Sequence, residues 1–204
     1  MEREMNIKGV LFDFDGTLTH PGALDFPAIK RELDCPVGET ILEYIETQPP
    51  GRQLELMKIL EKKEEIAADD SVPNKGSERC LSVLKKKGIA LGIITRNRLV
   101  SVKKVIQKFE GIKIEDFAAV ITRDFSMPKP HPDGVFEAAR QMGLMPAELL
   151  VVGDFRFDII AGKRAGAATV LLNNDGRTVM APGDPEPEYT ISNLEEVVDI
   201  IEKF

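Results

Sequence analysis

Cysteine is scarce in this 204-residue chain, long apolar runs are missing, and positive charge is in the minority. Each shortage removes a class of protein. The two cysteines, Cys35 and Cys80, stand in neither a metal-binding nor a redox spacing. They read as free thiols in a reducing compartment. No apolar run approaches the roughly 20 residues that span a bilayer. Met1-Glu2-Arg3-Glu4 leads almost at once into a strand-like run, without the charged-then-apolar pattern of a secretory signal. The expectation is a soluble, cytoplasmic protein with no membrane partner. A formal net charge of -7 sets the surface against phosphate backbones, so nucleic acid is not an expected partner. The sequence shows no internal repeat and no low-complexity tract.

What is present is a sizeable apolar fraction, 43%, in a length that suits one domain with a modest insertion. Residues 9–14 (GVLFDF) read as a buried strand ending at Asp15-Gly16. A helical region follows, with helices expected over 26–33, 39–45 and 53–68. In the last of these, Leu54, Met57, Leu60 and Ile66 fall near one stripe, and the Lys/Glu run over 58–65 reads as its solvated face. Residues 71–74 read as a linker. Helix and strand then alternate: helix 76–87, strand 90–95, helix 100–109, strand 118–122, loop 128–132, helix 133–142, strand 149–153, helix 157–165 and strand 169–172. A last short strand is expected over 189–191, and a helix capped by Asn193 over 194–203. The pattern predicts an α/β fold: a parallel sheet with helices on both faces, and a helical insertion after the first strand. The core is expected from 1–18 and 74–204, and the insertion from 19–73.

Ligands of such sheets bind beyond the carboxyl ends of the strands. The first strand delivers Asp13 and Asp15 there, and the two would share a face if the strand continued. The next ends in Thr95. Lys129 lies in the loop after the third. The fourth ends in Asp154, with Asp158 four residues on. Clustered carboxylates need a cation, and all-oxygen donors suit Mg²⁺ shared with a phosphate. One carboxylate can serve as a nucleophile, with Lys129 and the metal neutralising a transferring phosphoryl group. The Thr95 hydroxyl can donate to it.

These residues resemble the haloacid dehalogenase-like superfamily, whose members are mostly phosphatases. The resemblance rests on Asp13-Phe14-Asp15-Gly16-Thr17, on Thr95 in IITRN, on Lys129 in PKPHPDGVF, and on Gly153-Asp154-Phe155-Arg156-Phe157-Asp158. All four motifs occur in order and cover essentially the whole chain. The resemblance implies a Rossmann-like core with a small α-helical cap, of the phosphoglycolate phosphatase-like kind. It implies Asp13 as nucleophile and Asp15 as general acid and base. It implies Mg²⁺ held by Asp13, the Asp15 backbone carbonyl and Asp154, with Asp158 in or near the metal shell. The substrate is then a small phosphorylated metabolite, and the assembly a monomer or homodimer.

Dehalogenases do not need an acid two residues after the nucleophile, so Asp15 favours phosphoryl transfer. The same residues would serve a phosphomutase of the β-phosphoglucomutase type. A non-catalytic binding or regulatory protein on this scaffold commonly loses the nucleophile or the lysine, and both are present here. Arg96 and Asn97, after Thr95, are candidates to reach substrate phosphate. His20 and His131 read as loop residues, His131 as exposed. Phe155 and Phe157 flank Arg156 where many relatives carry smaller or more polar residues.

Overall fold

The computed structural model describes residues 6–125, 127–176 and 179–203. The first strand, β1 (Gly9–Phe12), is buried throughout. It stops short of the expected Phe14, which instead opens the tight loop Phe14–Leu18. Gly16 makes that break possible, since its φ of 87° lies in the region open chiefly to glycine. The Thr19 N–H closes the loop on the Phe14 carbonyl at 2.9 Å.

The chain forms two compact units, Met1–Pro21 with Val72–Phe204, and Gly22–Ser71. The expected boundaries at 19 and 73 move inward because Thr19 and Pro73 pair as an antiparallel bridge within the larger unit. The smaller unit holds α1 (Phe26–Glu32), α2 (Ile41–Glu46) and α3 (Pro50–Asp70). Asp25 caps α1 by accepting from the Ala28 N–H at 2.9 Å. Pro50 opens α3, where its missing N–H has no intrahelical partner to lose. These helices bury a cluster that includes Ile29, Leu33, Ile41, Ile45, Leu56 and Leu60. The expected α3 stripe is corrected here: Leu54 is 62% and Ile66 51% exposed, whereas Leu56 is fully buried. The inward line is Leu56, Leu60, Glu64 and Ala67, an i, i+4, i+8, i+11 progression.

The larger unit continues through α4 (Ser77–Lys86), β2 (Ala90–Ile94), α5 (Leu99–Ile106), β3 (Phe117–Ile121), α6 (Asp133–Met142), β4 (Leu149–Gly153), α7 (Arg156–Ala165), β5 (Ala168–Leu172), β6 (Tyr189–Ile191) and α8 (Glu196–Ile201). The last helix is shorter than expected. Asn193 acts in the turn before it, accepting from the Glu195 N–H at 3.0 Å. Every strand pairing is parallel, in the order β3-β2-β1-β4-β5-β6. Leu11 of β1 packs with Val151, Ala138 and Ala161 beneath α6 and α7. Val10 and Phe12 point to the other face and are fully buried there. α4 packs on β2 and α8. Helices therefore cover both faces of a Rossmann-like sheet. The chain order reverses at β1, with β2 and β3 on one side and β4 to β6 on the other. The carboxyl ends of β2, β1 and β4 meet at this switch point. No helix among the described residues is long and apolar enough to cross a membrane.

Candidate active site

Asp13 directly follows β1. Its N–H still donates to the Val152 carbonyl at 2.8 Å, so the sheet fixes its backbone after the strand has ended. Asp154 directly follows β4, and Asp158 lies in the first turn of α7. One carboxylate oxygen from each of Asp13, Asp154 and Asp158 lies within 4.8 Å of the others. Lys129 enters from the loop before α6. Its Nζ lies 2.5 Å from Asp13 Oδ1, 2.5 Å from Asp158 Oδ1 and 2.8 Å from the Ile94 carbonyl. All three ammonium protons thus have acceptors. The cluster needs glycine at Gly153, where a Cβ would sit 2.1 Å from Asp158 Cγ.

One ammonium faces three carboxylates. Burial opposes the charge on Lys129, but Asp13 and Asp158 outweigh it and hold the lysine above its ordinary pKa. Burial pushes Asp158 up to about 6; Lys129 offsets part of that rise and Asp13 adds to it. Asp154 is raised well above the usual carboxylate range by burial, then by Asp13 and Asp158. Like charges held together out of water are relieved by a cation, and the all-oxygen donor set fits Mg²⁺.

Asp15 is placed differently. The strand does not continue, so Asp13 and Asp15 do not share a face. The loop sends the Asp15 carboxylate toward the end of β2. There Asn97 Nδ2 lies 3.2 Å from both of its oxygens, and Thr95 Oγ1 donates to Oδ2 at 3.4 Å. The Asp15 side chain is not part of the three-aspartate cluster. Thr95 also accepts from the Asn97 N–H at 3.0 Å. Arg96 takes another direction. It donates to the Lys129 carbonyl at 3.1 Å, and its guanidinium carbon lies 5.1 Å from the Phe157 ring centroid. Phe155 and Phe157 meet edge to face, and Arg156 forms a two-point pair with Asp184. His20 is exposed beside the Pro21 carbonyl. The His131 side chain is 43% exposed and lies 3.2 Å from an Asp133 oxygen.

Three residues that support this site carried no expected role. Thr17 Oγ1 donates to Asp154 Oδ1 at 3.2 Å. Its signal was available, because it closes the first motif. Asn74 and Asn174 bond to the loop carbonyls after Asp15. Nothing in their sequence neighbourhood marks them, since Asn74 sits in a linker and Asn174 follows a strand by two residues.

Comparison with known proteins identifies the family. The profile of the haloacid dehalogenase-like hydrolase family matches residues 29–172. A haloacid dehalogenase-like hydrolase domain-containing protein of Arabidopsis thaliana is 32% identical over 213 residues, 96% of this chain and 84% of the relative. A phosphoglycolate phosphatase of Salmonella typhimurium is 28% identical over 236 residues, 95% of this chain and 92% of the relative. The crystal structure of a hydrolase from Pseudomonas syringae superposes with a TM-score of 0.79 at 21% identity, covering 97% of this chain and 99% of that one. The chain therefore belongs to the haloacid dehalogenase-like hydrolases.

Proposed function

We propose that this chain is a Mg²⁺-dependent phosphatase that hydrolyses a small-molecule phosphate monoester through a covalent aspartyl-phosphate on Asp13. The observation that carries the reading is the separation of the two motif aspartates. Asp13 sits in a cluster of carboxylates and a lysine, while Asp15, two residues on, is held apart by Asn97 and Thr95. The first environment suits an ionised nucleophile. The second suits a group that gives and takes a proton.

Asp13, Asp154, Asp158 and the Asp15 carbonyl are the proposed Mg²⁺ ligands. When bound, Mg²⁺ supplies positive charge to the transferring phosphoryl oxygens. Lys129 adds a second charge, fixed in place by its three acceptors. Thr95 and Asn97 supply the remaining proposed donors for substrate, while Arg96, engaged by the Lys129 carbonyl and the Phe157 ring, is left out of that set.

Asp13 attacks phosphorus as the bond to the leaving oxygen breaks, and Asp15 gives that oxygen its proton. Water then attacks the phosphorus of the aspartyl-phosphate and gives a proton to Asp15. The bond from phosphorus to Asp13 breaks, releasing inorganic phosphate and restoring both carboxyl groups. The helical unit Gly22–Ser71 is the proposed cap that selects the alcohol. Similarity to a phosphoglycolate phosphatase favours a phosphorylated small acid, with sugar and nucleotide monophosphates next.

The test is a phosphate-ester panel with Mg²⁺ present and then chelated, repeated with Asp13→Asn. Mg²⁺-dependent release of inorganic phosphate is expected, along with a trapped phosphoryl group on the wild-type chain by intact mass. Full activity of Asp13→Asn on an aryl phosphate would sink the covalent reading. Isomerised sugar phosphate in place of free phosphate would make the chain a mutase.

A further inference from the structure

Asn74 is buried, yet the chemistry proposed above assigns it nothing. It lies where the chain returns from the helical insertion. Its N–H donates to the Leu18 carbonyl at 2.8 Å, and the Val72 carbonyl accepts from the His20 N–H at 2.9 Å. Outgoing and returning segments are thus paired within the larger unit. From this fixed point Asn74 Nδ2 donates to the Thr17 carbonyl at 2.9 Å and lies 3.4 Å from the Gly16 carbonyl. Asn174, after β5, donates to the same Gly16 carbonyl at 2.7 Å and accepts from Asn74 Nδ2 at 3.1 Å. Asn74 Oδ1 is itself oriented by the Lys75 N–H at 2.8 Å.

Two amide side chains from distant parts of the sequence therefore converge on consecutive carbonyls just beyond Asp15. The rest of the loop is held as well. The Phe14 carbonyl accepts from the Thr19 N–H and hydroxyl, and Gly16 has no room for a Cβ beside Asp154. A carbonyl deprived of its donor in such a place rotates toward another partner, and the loop that carries Asp15 one residue upstream shifts with it. Proton transfer needs hydrogen-bond reach to the leaving oxygen, so a shift of well under 1 Å is felt.

We infer that Asn74 and Asn174 form an amide clamp that positions Asp15 for proton transfer, tying the return segment of the insertion to the chemical step. Both are positioning residues. The inference rests on the reading of Asp15 as general acid in a phosphatase.

The experiment compares an alkyl phosphate with p-nitrophenyl phosphate, using the full chain with Mg²⁺ and the variants Asn74→Ala and Asn174→Ala. An alkoxide leaves poorly without a proton, whereas p-nitrophenolate leaves readily. The clamp predicts that kcat on the alkyl ester falls about 10–100-fold, KM changes by less than about threefold, and the aryl ester is much less affected. Asn174 is exposed, so its truncation is expected to leave Tm unchanged. A purely structural role lowers both substrates together, in proportion to lost folded protein. Equal falls, or no fall in a folded Asn174→Ala, would overturn the clamp. If Asn74→Ala does not fold, the isosteric Asn74→Asp, which keeps the acceptor for Lys75 but loses both donors, takes its place. Failure of the wild type to hydrolyse any phosphate ester overturns the phosphatase reading itself. An active wild type with an unmoved alkyl-to-aryl ratio overturns only the clamp.

Discussion

Lys129 and Asp158 meet at 2.5 Å with side chains only 3% and 2% exposed. A buried pair of this kind is weak evidence for stability, but losing one partner strands the other. Here the loss is worse, because Lys129 also neutralises Asp13 and caps the Ile94 carbonyl. Lys129→Met is therefore expected to lower metal-free stability near neutral pH by about 3–5 kcal/mol, read from the urea midpoint. A wild-type midpoint in this variant would show that the lysine is not what holds the carboxylates together.

The carboxylate cluster predicts how a metal should act on stability as well as on rate. Saturating Mg²⁺ at about a hundred times its Kd would add about 3 kcal/mol. Asp154→Asn should lose most of that gain. The Asp154 pKa is raised in the folded state, so its ionisation costs stability as pH rises through that value. Near pH 7 the metal-free Asp154→Asn protein should therefore be at least as stable as the wild type. Asp15→Asn should keep most of the Mg²⁺ gain while losing activity, because its side chain lies apart from the cluster. Thermal melts with Mg²⁺ and with chelator separate the two aspartates.

Gly153 supplies a steric test. A Cβ there would lie 2.1 Å from Asp158 Cγ, whereas one at Gly38 would meet nothing within 4 Å. Gly153→Ala must push Asp158 away from Lys129 or bend the end of β4. The expected loss is about 1–3 kcal/mol of stability, with metal affinity down about 10–100-fold. Gly38→Ala should change neither by a measurable amount. Isothermal titration with Mg²⁺ and denaturant melts give both readouts.

How far the sequence disclosed this molecule depended on whether the signal was periodic or spatial. The sheet was legible because buried parallel strands are continuous apolar runs, and the strand-end residues followed from chain order. The direction of the Asp15 carboxylate was not legible. It depends on the chain leaving the strand at Phe12, which a single glycine conformation decides. The α3 stripe was misread for a different reason. On a 21-residue helix rich in Lys and Glu, Leu54 and Leu56 are equally apolar letters, and only the partners in α1 and α2 choose between them. Asn74 and Asn174 were invisible because their partners are backbone carbonyls 57 and 158 positions away.

That choice between neighbouring leucines can be measured directly. Leu56 is fully buried in the helical unit, and Leu54 is 62% exposed. Leu56→Ala removes apolar contacts and leaves a cavity, so it should cost about 2–4 kcal/mol. Leu54→Ala should stay within about 0.5 kcal/mol of wild type. Limited proteolysis of the two variants provides a second readout, with faster cleavage inside Gly22–Ser71 expected only for Leu56→Ala. Equal sensitivity of the two positions would mean that the stripe runs through Leu54 after all.

The acid limit of stability has a specific contributor in Glu188. Its carboxylate accepts from the Thr169 N–H at 2.7 Å and the Thr169 hydroxyl at 2.8 Å, and pairs with Lys163 at 2.5 Å. Burial alone would raise its pKa, but Lys163 and Thr169 together hold it below the ordinary value. A carboxylate whose folded pKa is depressed contributes stability above its unfolded pKa and loses it as pH falls through the folded one. The group is partly open to solvent, which screens the ion pair, so the contribution is about 1 kcal/mol. Glu188→Gln should thus be less stable than wild type by about that amount near pH 7. The gap should close as pH falls through the depressed folded-state pKa, where wild-type Glu188 becomes protonated as well. Urea midpoints across that range test the sign as well as the size: a gap that widens on acidification would mean that Glu188 ionises less readily in the folded state, contrary to its three donors.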